Sequence, residues 1–371
     1  MAIKYSTRKT PDMKGIINEI EQPDIKAVIY FFSGEYEYAE PHKALRRAFP
    51  QAACIGSSMI GGWCTSGAAA KGIMAMSFSS EEVEKVFVSF KEGVKKNPAL
   101  AAAGAIEELK RSLSGHDINP NAYVGFIFFD GLCLGEEIIK KFTLDKALNM
   151  PFIGGAAADE LAFTKTTVGI NDKLSGDGLA VMIMKMKIPF YFNHYVHYQP
   201  TNTSFVITES EPSKRTVWKI NGENAADYYA KVIGVPSAAK LNSGHFSKNP
   251  IGIVQGSTVY VRSISNLVDG SGLRFYCNIE NETTVYLLKQ GDIIANAQRA
   301  VKEAEAYLPR IYGAVLFNCV LRYLELQELK KVDAFNNVFA HLNFIGLNTY
   351  GEELFTHHNQ TLTAIFFGGR R

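Results

Sequence analysis

The apolar positions of this chain come in short unbroken runs separated by turn residues and amphipathic stretches. Ala27 to Phe32 (AVIYFF) is rich in β-branched and aromatic residues, the pattern of a strand covered on both faces. A polar turn at Ser33 and Gly34 follows. Ala39 to Phe49 then alternates like a short amphipathic helix, Pro50 stops it, and Ala52 to Gly56 (AACIG) returns as a second strand. Behind this βαβ unit come the glycine-rich turn Gly56 to Gly62 (GSSMIGG) and a further apolar strand, Gly72 to Phe78.

The same order recurs twice. Tyr123 to Phe129 is an apolar strand closed by Asp130 and Gly131, a helix covers Glu136 to Leu148, and Pro151 to Gly155 (PFIGG) returns. Near the C-terminus, Gly313 to Cys319 is the strand, Tyr323 to Phe339 the helix and Leu342 to Gly346 (LNFIG) the return. Its turn is Gly346 to Glu352 (GLNTYGE), followed by the strand Thr361 to Gly369. Matching IGSSMIGG (Ile55 to Gly62) to IGLNTYGE (Ile345 to Glu352) aligns the Ile-Gly pair and a second glycine, so internal duplication of one supersecondary unit is expected.

Between the halves, Tyr191 to Ile220 loses the apolar runs and alternates like antiparallel strands around a turn at Glu211 to Ser213. The predicted division is therefore 1–198 and 199–371. Gly256 to Ile264 and Val268 to Ile279 carry hairpin signals, and Asp292 caps a helix to Tyr307 with Ile294, Ala297, Val301, Ala304 and Leu308 on one face. The fold class is α/β: two domains of mixed β-sheets layered with helices, with repeated β-α-β-turn-β units.

Composition narrows the function. At 371 residues, 47% apolar and 12% aromatic, the chain can bury large cores, and its length fits two domains. A net charge of +2, without long runs of one sign, gives no electrostatic reason to track nucleic acid or an anionic membrane. The five cysteines are scattered and odd in number, as expected of reduced thiols in a cytoplasmic protein. The start, MAIKYSTRKTPDMKG, has no apolar stretch of a signal peptide, and no apolar run reaches membrane-spanning length.

Catalytic signatures are absent: no GxSxG, HExxH or Walker A loop, and no GxGxxG that opens a helix. The glycines of Asp269 to Arg274 read as a hairpin turn. His194 and His197 point to opposite faces of a strand and cannot chelate one ion there without a bend. Polar residues instead crowd the strand ends of the last copy: Asn318, Cys319 and Arg322, then Thr349, Tyr350, Gly351 and Glu352, then His358 and Asn359. Ligands of α/β sheets sit at such carboxyl ends. Arg322 and Glu352 in one crevice can take the carboxylate and ammonium of a zwitterion, or pair with each other as a structural salt bridge. Gly351 is expected to permit positive φ and let the turn aim its amides at an anion.

At these residues the chain resembles the FIST family of intracellular signal-transduction modules. FNCVLR (Phe317 to Arg322), GLNTYGE and HNQTLT (His358 to Thr363) carry the likeness in the C-terminal half, and IGSSMIGG with IGGAAADE (Ile153 to Glu160) in the N-terminal half. The resemblance implies a FIST N-terminal-like domain over 1–198 and a FIST C-terminal-like domain over 199–371, with a sensory role. The implied ligand is small and amino-acid-like, bound without catalysis by Asn318, Cys319, Arg322, Thr349, Tyr350, Gly351, Glu352 and Asn359. No kinase, cyclase or chemoreceptor segment follows in this sequence, so output is expected to pass to a separate signalling protein. Some relatives are similar to haem-dependent nitric oxide sensors. No cofactor is predicted here, and His194, His197 and His245 are the axial candidates of the alternative haem reading. A further alternative is an enzyme with Cys319 as nucleophile, which needs a nearby cation such as Arg322 to lower its thiol pKa.

Overall fold

The computed structural model describes residues 3–10, 12–34, 39–69 and 71–369. Its first compact unit comprises Met1–Tyr195, Ala297–His357 and Leu362–Arg371, and its second Val196–Asn296 with His358–Thr361.

Three copies of one plan, β-α-β-α-β followed by a short exchanged strand and a closing strand, build the first unit. Copy one runs β1 (Lys4–Arg8), α1 (Met13–Ile20), β2 (Ile25–Phe32), α2 (Ala39–Ala48), β3 (Ala53–Ser58), β4 (Gly62–Cys64) and β5 (Ile73–Ser79). Copy two runs β6 (Val83–Glu92), α3 (Pro98–Ser112), β7 (Tyr123–Phe129), α4 (Gly135–Leu144), β8 (Phe152–Ala156), β9 (Val168–Ile170), β10 (Lys173–Ser175) and β11 (Gly178–Met186). Copy three opens with β12 (Phe190–Tyr195) and is then interrupted by β13 (Tyr198–Glu211), β14 (Thr216–Ile220), β15 (Glu223–Asn224), α5 (Ala225–Val232), α6 (Ser243–Lys248), β16 (Ile251–Gln255), β17 (Thr258–Arg262), β18 (Ile264–Val268), β19 (Gly272–Phe275) and β20 (Thr283–Gln290). It resumes with α7 (Ile293–Tyr307), β21 (Arg310–Cys319), α8 (Val320–Glu328), α9 (Val332–Phe339), β22 (Phe344–Thr349), β23 (Glu352–Leu354), β24 (Thr356–His358) and β25 (Leu362–Gly369).

In every copy the second strand pairs parallel with the third and antiparallel with the last: β2 with β3 and β5, β7 with β8 and β11, β21 with β22 and β25. The expected duplication is therefore present, and it is threefold. Its sequence mark has a steric cause. Ile55, Ile153 and Ile345 enter the shared core, while the following glycines lie close to the neighbouring strand. A Cβ on Gly56 would stand 2.4 Å from Tyr30 O, one on Gly154 1.9 Å from Ile127 O, and one on Gly346 2.8 Å from Leu316 Cβ.

Each copy also lends a strand to another copy's sheet. β4, which follows β3, pairs with β22; β23, which follows β22, pairs with β8; β9, which follows β8, pairs with β3. This exchange closes on itself, and the three inner sheet faces share one apolar core. At its centre the equivalent Phe31, Phe128 and Phe317 meet with ring centroids 5.6, 5.9 and 6.2 Å apart. Helices cover the outer faces: Ile16, Ile20 and Leu45 pack on the first sheet, and Ala102, Ala105, Ile138 and Phe142 on the second. The helix predicted as Tyr323 to Phe339 is two, because the chain turns through a left-handed Lys330 (φ 55°) between α8 and α9.

The second unit is an antiparallel sheet of order β17-β16-β20-β13-β14-β19-β18, with β15 on β14, around Phe205, Ile207, Val217, Tyr229, Leu273 and Val285. The Asp269 to Arg274 stretch is the β18–β19 hairpin, with Asp269 and Gly270 at positive φ. Since β12 pairs with β25 in the sheet of copy three, the spatial division follows strand pairing and differs from a single cut along the sequence at 198. Among the described residues no helix is long and apolar enough to cross a membrane.

Candidate functional site

The strand ends of copy three hold most of the residues singled out by the sequence. β21 and β22 run in register, so Asn318 lies beside Asn348 and Cys319 beside Thr349. Successive strand residues face opposite ways. Phe317 and Leu347 enter the shared core, hence Asn318 and Asn348 project to the helix side and Cys319 and Thr349 to the core side.

On the helix side is a fully buried amide network. Asn318 Nδ2 donates to Asn348 Oδ1 at 3.0 Å, and Arg322 Nε, one turn into α8, donates to Asn318 Oδ1 at 3.0 Å. The exchanged strand β4 completes it: Trp63 Nε1 donates to Asn348 Oδ1 at 2.8 Å, while Asn348 Nδ2 donates to Ile60 O at 2.9 Å. The Trp63 ring packs on Phe335 and edge-on against Tyr323, at 4.7 and 5.6 Å between centroids. Arg322 is among the largest fully buried side chains of the protein. An arginine stays charged, so such burial is tolerable only where polar groups are built to receive it.

On the core side, Thr349 Oγ1 donates to Glu352 Oε1 at 2.6 Å, and Glu352 stands opposite Gly155 in the β23–β8 pairing. Gly155 is needed there, because its Cβ would fall 2.8 Å from Thr349 Cγ2. Arg322 and Glu352 thus belong to groups on opposite faces of β22, and the expected joint grip on one zwitterion is corrected: strand alternation separates them. A second correction concerns Gly351. Its φ is not left-handed; a side chain is excluded because a Cβ would come within 2.2 Å of His357 Cε1. His357 Nδ1 in turn lies 2.6 Å from Glu353 Oε1, both residues buried.

Tyr350 leaves this group for the loop between β8 and β9. Its hydroxyl donates to the Asp159 carboxylate, which also accepts from the amides of Phe163, Thr164 and Lys165 at 3.0, 2.8 and 3.1 Å. Burial opposes ionisation of Asp159, and these donors outweigh it, leaving its pKa below the usual carboxylate value. Burial, reinforced by Asp159, raises the Tyr350 phenol. Phe163 stacks on Tyr350 at 4.7 Å. Asn359 belongs to the second compact unit, where its Nδ2 donates to His358 O at 3.1 Å.

Sequence reasoning missed Trp63, Asn348, Asp159 and the Glu353–His357 pair. The three-residue β4 gives too short a periodicity to be read as a strand, although GSSMIGGW, with its tight glycines before a lone tryptophan, marks a place where the chain passes close to another backbone. Among the described residues, no group of three or more His, Cys, Asp or Glu is arranged to hold a metal ion.

Models of the FIST N domain and the FIST C domain match residues 26–223 and 225–354. An uncharacterised protein of Methanocaldococcus jannaschii is 24% identical over 285 residues, which are 68% of this chain and 55% of that protein. The chain thus spans little more than half of that relative's length. Among solved structures, a chorismatase covers 99% of both chains at 10% identity with a TM-score of 0.35.

Proposed function

This chain belongs to the FIST family, and on that premise we propose that it is a sensory protein of signal transduction that binds a small carboxylate-bearing, amino-acid-like metabolite through Arg322. One observation carries the reading. A fully buried guanidinium is oriented by the neutral amides of Asn318 and Asn348, at strand-end positions that the other two copies fill with Phe32 and Ser58, and with Phe129 and Ala156. Polar groups buried so expensively fit recognition of a planar anion, which a guanidinium meets with two parallel hydrogen bonds. The proposed setting is the cytoplasm, with the output passed to a separate protein.

The test is a thermal-shift panel of the amino acids and central metabolites. A compound present at a hundred times its dissociation constant adds about 2.7 kcal/mol to stability. We expect at least one carboxylate to raise the melting temperature of the wild type and to lose that effect in Arg322→Lys, which keeps the charge and gives up the planar fork. Failure of every compound, or an equal shift in both proteins, rejects the reading.

A further inference from the structure

Resting on the carboxylate reading of Arg322, we propose that Trp63 is its positioning residue: a tryptophan of copy one, within the FIST N segment, sets the orientation of the guanidinium in the FIST C segment.

The direction of the hydrogen bonds carries this. An indole N–H only donates, so the atom of Asn348 that Trp63 Nε1 meets at 2.8 Å is the amide oxygen. The Ile60 carbonyl only accepts, so the atom of Asn348 that faces it at 2.9 Å is the amide nitrogen. Both ends of Asn348 are thereby fixed by groups of copy one. Asn348 Oδ1 takes a second bond from Asn318 Nδ2, which turns Asn318 Oδ1 toward Arg322 Nε, each at 3.0 Å. Arginine carries donors alone, so donation runs from Arg322 to Asn318 and from Asn318 to Asn348, whose amide oxygen is held in place by the indole N–H of Trp63. Rotating either amide by half a turn would oppose two donors at one end and two acceptors at the other.

Trp63 is also held firmly enough to act as the fixed end. It is fully buried, β4 pairs with β22 on either side of it (Gly62 with Leu347, Cys64 with Ile345), and Phe335 and Tyr323 clamp its ring. Tyr323 is the neighbour of Arg322 in α8. A phenylalanine at 63 would keep much of that packing and lose only the N–H.

The experiment is NMR of the full chain labelled with ¹⁵N-arginine and ¹⁵N-tryptophan, which needs no ligand and stands whether or not the carboxylate reading survives. Wild type should show a slowly exchanging arginine Nε–H resonance that disappears in Arg322→Lys. In Trp63→Phe that resonance should move and exchange about tenfold faster, the factor one ordinary lost hydrogen bond is worth; Asn348→Leu should do the same. If Trp63→Phe fails to fold, benzothienylalanine at position 63, with sulfur in place of N–H, makes the same comparison. An Arg322 resonance unchanged when the indole N–H is gone, or no protected resonance in the wild type, overturns the proposal. For any carboxylate that the panel finds, Trp63→Phe should weaken binding about tenfold; equal affinity also overturns it.

Discussion

One position, three occupants: the residue after the central phenylalanine is Phe32 in the first copy, Phe129 in the second and Asn318 in the third. The phenylalanines join the apolar layer between sheet and helices, with Val28, Tyr30 and Leu45 in one case and Ile127, Ile139 and Phe142 in the other. Filling such a place requires only volume, which any nearby side chains can match. An asparagine there requires a donor and an acceptor at fixed points, and Asn318 finds them in Asn348 and Arg322. Asn348 finds its own in the exchanged segment of copy one. A shared backbone plan therefore supports an apolar joint twice and a polar, orientable site once, and the difference lies in what the crossing strand delivers.

The sharpest way to break this comparison is to exchange the occupants. Phe129→Asn removes a ring from a dry layer and leaves an amide among apolar neighbours, so about 5 kcal/mol of stability should be lost. Chemical denaturation measures it; a loss below that of an ordinary surface substitution would mean that the second copy also has polar partners in waiting.

If the copies are equivalent at their centre, Phe31→Ala, Phe128→Ala and Phe317→Ala should each cost about 3–5 kcal/mol. One silent member of the three would show that its ring is not part of the common core. The glycines sharpen the same point at smaller scale. Gly154→Ala drives its methyl to 1.9 Å from a backbone oxygen and should cost about 3 kcal/mol, whereas Gly346→Ala meets Leu316 Cβ at 2.8 Å and Leu316 O at 3.1 Å, a milder overlap that should cost about 2 kcal/mol. The reverse order in melting experiments would contradict the close-approach explanation of the Ile-Gly mark.

The smallest effect concerns acid. In the first copy Tyr30 OH and His42 Nδ1 are 2.6 Å apart, and burial lowers the His42 pKa below its ordinary 6.5. Burial, with Arg299, lowers that of His194 likewise. As pH falls below 6.5 the unfolded chain takes up these protons while the folded one resists, so stability should decline from its plateau at higher pH. His42→Gln should flatten the slope of unfolding free energy between pH 6.5 and 5; an unaltered slope assigns it to other groups.

Much of the fold was legible because the second and third strands of each copy are buried on both faces and carry unmistakable apolar runs, and because the Ile-Gly pair repeats wherever a core contact is followed by a close approach. The site was legible only as a set of strand ends. Asn318 and Arg322 were found together, since they are four residues apart at a strand-to-helix junction, but Glu352 was assigned to them although it faces the other way.

The sequence by itself determined many of the local units: the apolar strands, the turns that close them, the helices after β2, β7 and β20, and the burial of Phe31, Phe128 and Phe317. Only the tertiary structure decided which short strand crosses to which sheet, and hence that Trp63 reaches Asn348 and Tyr350 reaches Asp159. The physical reason is range. Burial and periodicity are written in neighbouring residues, whereas a hydrogen bond between positions 63 and 348 depends on chain closure that no window of sequence contains.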